Sequence, residues 1–251
     1  MSGAVACASQ KQFGGICTML INAFRSLLSG EGISWLSVFS QILACLFIIL
    51  IVLPIHEFAH GWVAHKLGDD TPKWQGRLTL NPLASLDPLG SLGILLFGIG
   101  WAKPVQINAR NFKNPKRDMA ITAAAGPISN LLAAFVGMLI FNVIYLFNGS
   151  LPWQVEIFLQ IFFSYYVSIN IMLAVFNLLP VPPLDGSRIV GAFLSSRALY
   201  TYYRYQNYIV IGLFVLLFSG VLDVPLTWLQ NVVGGGLQWL ADLPFNAFGA
   251  F

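Results

Sequence analysis

Apolar residues gather into four long stretches separated by short polar ones. The first runs from about Trp35 to Leu67 and is stopped by Gly68-Asp69-Asp70. The second covers about Met119 to Phe147, ahead of the turn residues Asn148-Gly149-Ser150. The third extends from about Val155 to Leu179 and ends at Pro180, Pro182 and Pro183; the fourth occupies about Tyr208 to Leu222. Because about 20 apolar residues in a helix cross a bilayer, the pattern predicts transmembrane helices. Residues 11–30 set Lys11 and Arg25 among Ile16, Met19, Leu20, Phe24 and Leu27. Charge in mid-stretch predicts a helix lying at the interface there, with a fifth span as the alternative.

Between the first two spans the pattern changes. Arg77-Leu78-Thr79-Leu80 alternates at period two before Asn81-Pro82, which predicts a short strand, and Lys103 to Ile107 predicts a second. Gly90 to Ala102 is apolar but only about half a span in length, the signature of a re-entrant or interfacial piece. The C-terminal stretch scatters Trp228, Trp239 and Phe245 around Gly234-Gly235-Gly236 and predicts an interfacial or weakly ordered end. The expected fold class is an all-α polytopic membrane protein of four to five spans, with a short membrane-associated β or re-entrant segment after the first. One domain accounts for residues 1–251, with a core at about 35–190, an interfacial segment at 1–34, and a fourth span and tail at 206–251.

Composition agrees with this picture. Of 251 residues, 57% are hydrophobic and 9% charged, whereas soluble domains carry about 25% charged residues. A net charge of +3 gives no reason to expect nucleic acid as a partner. The distribution of charge is more informative. Eight of the thirteen Lys and Arg lie between Lys66 and Arg117, and Arg188, Arg197 and Arg204 form a second group. Basic loops stay on the cytosolic side, so both groups are expected there and both termini outside, in a bacterial-type plasma membrane. Cys7, Cys17 and Cys45 include no C-x-x-C pair and suggest no metal knot.

The chemistry concentrates in His56-Glu57-Phe58-Ala59-His60. Residues four apart on a helix share a face, so one cation could take both imidazoles from a single turn. Glu57 would then stand beside the metal, placed to take a proton from water. The plainer alternative is a polar cluster that staples helices together. An ionised residue within a span costs about 2.5–3.5 kcal/mol on insertion scales, which favours a functional reading. His65 points about 140° away from His60 around the helix and reads as an interfacial residue beside Lys66. A catalytic zinc takes three protein ligands, and Asp185 is the best third candidate. It follows the proline break after the third span, where irregular backbone at membrane depth must line a cavity. A plain loop acid is the alternative.

These blocks together resemble the site-2 protease family of intramembrane zinc metalloproteases, in its compact form without PDZ or CBS domains. The resemblance rests on His56 to His60, on Gly76 to Pro82 with Asp87-Pro88, and on Trp101 to Val105. It continues through Ala125-Gly126-Pro127-Ile128-Ser129-Asn130 and Asn177 to Gly186. It implies one zinc ion held by His56, His60 and Asp185, with Glu57 as general base. It further implies that Asn177 holds substrate or steadies an oxyanion, a part Asn130 could share; an amide that only bonds its own helix is the alternative for Asn177. Gly126-Pro127 reads as a close-packing and helix-entry feature rather than chemistry. The family often has a histidine where this chain has Ser85, which affects only the role of that loop.

The expected activity is hydrolysis of peptide bonds in or near transmembrane segments of membrane-protein substrates, as in regulated intramembrane proteolysis. Unwound substrate would lie against Arg77–Leu80 as an added strand. The expected partners are those segments and the lipid bilayer. The alternative is a metal-containing membrane protein that binds transmembrane helices without cutting them.

Overall fold

The computed structural model describes residues 35–97, 102–147 and 149–247. The interfacial segment expected at 1–34 lies outside these residues, as do 98–101 of the expected re-entrant piece. Among the described residues every regular element is a helix. In chain order they are α1 (Trp35–Lys66), α2 (Thr71–Trp74), α3 (Pro82–Ser85), α4 (Pro88–Phe97) and α5 (Pro115–Tyr145). Then follow α6 (Trp153–Asn177), α7 (Asp185–Gly191), α8 (Ser196–Arg204), α9 (Gln206–Phe218) and α10 (Asp223–Ala247).

Three helices, α1, α5 and α6, are long and apolar enough to cross a membrane. They pack on one another around two clusters. Cys45, Ile48, Ile49, Val52 and Leu53 of α1 meet Tyr166, Ile169 and Leu173 of α6. The second cluster joins Ala134 and Met138 of α5, Ile171 and Val175 of α6, and Ala241 of α10. Gly137 brings α5 and α6 close, since a Cβ there would stand 2.5 Å from Tyr166 Cε1. Contact of this kind between small residues and flat rings replaces the hydrophobic driving force that lipid removes.

Proline marks both α1 and α5. In α1 a π-helical turn, Ile48–Val52, immediately precedes Leu53-Pro54, and Leu53 N–H bonds to Ile48 O. A wider turn accommodates a residue without an N–H and resets the bearing of the following helix. α5 opens with Pro115, whose missing donor costs nothing at that position. Asp118 in its first turn accepts from Asn114 N–H at 3.0 Å and from Arg117 Nε at 2.8 Å. Pro127 lies inside α5, so one rung of the ladder is missing opposite Ala123.

Several sequence expectations change. Residues 77–80 and 103–107 form no strand. Side chains take up this backbone instead, so the period-two pattern finds no ladder. Arg77 donates to the carbonyls of Ala84, Lys103 and Pro104, and Asp69 accepts from Asn108 N–H at 2.7 Å. α4 has 10 residues, about 15 Å of helix against a hydrocarbon core of about 30 Å. The stretch expected as a fourth span, about Tyr208 to Leu222, breaks after Phe218, and α9 meets α10 at 87°. Only together does that pair pass for a span. The tail is a 25-residue helix packed on α5 and α6. Of its glycines Gly234 serves that packing, since a Cβ there would stand 3.3 Å from Ile171 Cδ1, whereas a Cβ on Gly235 or Gly236 would meet nothing within 4 Å.

Candidate metal centre

His56 and His60 fall one turn apart on α1, both buried. Their Nε2 atoms stand 3.1 Å apart. Asp185, the first residue of α7, brings Oδ2 to 3.1 Å from His60 Nε2 and 3.5 Å from His56 Nε2. Gly186 makes this turn possible, because a Cβ there would fall 2.2 Å from the Leu178 carbonyl oxygen at the end of α6.

The far side of each imidazole fixes its tautomer. His60 Nδ1 lies 2.8 Å from the Thr122 carbonyl, which can only accept, so Nδ1 carries the proton. His56 Nδ1 faces Asn130 Oδ1 at 3.3 Å. Both Nε2 atoms are therefore left with lone pairs directed at each other and at a carboxylate oxygen. With both imidazoles in that tautomer, three acceptors crowd one point. A cation there would relieve the repulsion, and two imidazoles with one carboxylate are a suitable donor set for zinc.

The space for that cation is set by α5. A Cβ on Gly126 would stand 2.2 Å from His60 Nε2 and 2.6 Å from His56 Nε2. Read from sequence as a packing residue, Gly126 faces the donor atoms themselves. Glu57, one residue from His56, turns its Oε2 to Val105 N–H at 2.9 Å. The segment carrying Val105 lies along the α1 face of Glu57 and Gly61, where a Cβ on Gly61 would meet Val105 Cγ1 at 3.6 Å.

The structure thus brings together His56, His60 and Asp185, the one group of at least three His, Cys, Asp or Glu among the described residues that could hold a metal, with Glu57 adjoining. It places Asn130 behind His56. The Asn177 amide donates to Leu173 O at 2.9 Å, within its own helix. His65 stands apart and pairs with Asp70. Ser85 is buried and its carbonyl accepts from Lys103 N–H at 2.8 Å. The Thr122 carbonyl and the Val105 amide escaped sequence reasoning because they are backbone groups. The one available signal was Pro127, which loosens the helix near that carbonyl.

Beyond the site, buried Asp69 fastens the loops. Burial raises its carboxyl pKa, but bonds from Thr71, Asn108 and Asn111 outweigh burial and hold it below the ordinary value.

A buried His-Glu-x-x-His turn on a helix able to cross a membrane, met by an aspartate from the short helix α7, fits a metalloprotease of the membrane. The sequence profile of peptidase family M50 matches residues 143–219. The chain is 41% identical over 182 residues to "Putative zinc metalloprotease YwhC" of Bacillus subtilis, covering 72% of this chain and 82% of that one. Rip2 of Mycobacterium tuberculosis H37Rv, named in the same way, is 28% identical over 77% of this chain and 71% of its own. MJ0611 of Methanocaldococcus jannaschii, likewise named, is 33% identical over 54% of this chain and 62% of its own. No solved structure gives a significant match. The chain belongs to peptidase family M50, the site-2 protease family, and is an integral membrane metalloprotease.

Proposed function

We propose that this protein is an intramembrane zinc endopeptidase of the site-2 type, cutting peptide bonds in or near transmembrane segments of other membrane proteins. The observation that carries the reading is the meeting of His56 Nε2, His60 Nε2 and Asp185 Oδ2 beside Glu57, on a helix able to span a bilayer. His56, His60 and Asp185 would hold one zinc ion. When bound, zinc supplies Lewis acidity to a peptide carbonyl and to water.

The remaining work falls to side chains. Glu57 accepts the proton of the attacking water and hands it to the leaving amine nitrogen. The Thr122 carbonyl and Asn130 keep the imidazoles in the ligating tautomer. The Asn177 amide, at the end of α6, would serve an extended substrate or its oxyanion once released from Leu173 O. The basic groups at 66–117 and 188–204 favour a site toward the cytosol, with both termini outside. An intact Glu57 supports cutting over mere binding, which needs no base.

The test compares wild type with Glu57→Gln for metal content and for cleavage of a transmembrane substrate. Both should hold one zinc ion, and the variant should lose cleavage by about 100- to 10,000-fold. Equal cleavage by the two proteins would overturn the mechanism, and zinc without turnover in the wild type would leave a binder.

A further inference from the structure

The peptide bond between Pro104 and Val105 is held from both edges. On one edge its carbonyl oxygen accepts from Arg77 Nη2 at 3.1 Å. On the other its N–H donates to Glu57 Oε2 at 2.9 Å. A peptide unit is planar and rigid, so the guanidinium and the carboxylate are coupled through one plate. A cation on the oxygen polarises the amide and strengthens the N–H as a donor, because hydrogen bonds in a chain polarise one another.

Arg77 is committed to this task. It is half-buried, and its other acceptors are the carbonyls of Lys103, at 2.8 Å, and of Ala84. Among the described residues it forms no salt bridge to a carboxylate. The fixed fork of a guanidinium suits several carbonyls at once, which an ammonium cannot match. The rest of the segment is pinned independently, by Ser85 O to Lys103 N–H at 2.8 Å and by Asp69 to Asn108 N–H at 2.7 Å. Through the carbonyls of Lys103 and Pro104, Arg77 therefore adds orientation of the Pro104–Val105 peptide plane to a segment already anchored at both ends.

We propose that Arg77 is a positioning residue for Glu57, acting through the Pro104–Val105 peptide, which fixes Oε2 and leaves Oε1 to carry the proton. This rests on the reading of Glu57 as the general base.

The test follows the Val105 amide by hydrogen exchange in the zinc-loaded protein, beside steady-state cleavage. Wild type should protect this amide. Arg77→Ala and Glu57→Ala should each speed its exchange roughly tenfold or more, the weight of a charge-assisted bond. Arg77→Ala should lower kcat by about 10- to 100-fold with zinc content and KM unchanged. Arg77→Lys should fall between the two, and added guanidinium ion should restore part of the rate to Arg77→Ala but nothing to wild type. An unprotected Val105 amide in wild type would overturn the proposal. So would a kcat in Arg77→Ala equal to that of wild type, or loss of zinc in both Arg77 variants. Should the wild type show no turnover, the proteolytic reading fails, and the exchange arm still decides whether Arg77 and Glu57 share this peptide.

Discussion

Gly126 lies so close to His60 that a single added carbon would stand 2.2 Å from its Nε2. Gly126→Ala should therefore block the space where three acceptors converge. Alanine improves helix propensity, so the variant should insert and fold while its bound zinc falls from one equivalent to near zero. Metal analysis of the purified protein checks this, and a full complement of zinc would show that the cradle is elsewhere.

Asn130 supports His56 from behind, at 3.3 Å from Nδ1. Its removal in Asn130→Ala should weaken zinc binding by about 10- to 100-fold, the usual effect of losing a partner to a ligating imidazole. At saturating zinc, KM for substrate should be unchanged. Competition with a chelator measures the first quantity. A raised KM with unaltered zinc affinity would instead return Asn130 to the substrate-binding part first read from sequence.

Acid should loosen the loops before the helices. The Asp69 carboxyl titrates below its ordinary value in the fold. Its bonds therefore contribute stability above the unfolded pKa of about 3.9, which is lost as pH falls through the lower folded value. Residues 102–111 should stay protected from proteolysis at pH 5 and open only as pH falls below the ordinary carboxylate range, toward the lowered folded value. In Asp69→Asn the same segment should be looser at neutral pH and its acid dependence should flatten. An unchanged acid profile in that variant would place the titrating group elsewhere.

The parts of the site that sequence made legible are those written in side-chain chemistry. His56 and His60 announce themselves by helical spacing, and Asp185 by following a proline break at membrane depth. The Thr122 carbonyl, the Val105 N–H and the space at Gly126 carry no such mark, since backbone atoms and absent carbons look alike at every position. Legibility failed differently in the fold. Arg77 to Leu80 alternates like a strand, yet a strand needs a neighbouring ladder, and Arg77 ties the neighbouring backbone with its side chain. Gly234 to Gly236 reads as a loose end because glycine weakens an isolated helix. Here Gly234 lets α10 settle against Ile171, a tertiary effect that overrides propensity.

The separation of the three donors along the chain has a bearing on biosynthesis. Asp185 follows His60 by 125 positions. At about 5–20 residues per second, the ribosome needs roughly 6–25 s to add it. Throughout that interval the nascent protein presents an incomplete pair of imidazoles to the membrane. The three donors can meet only after α6 has been made, so this cluster is among the last features of the long-helix core to form.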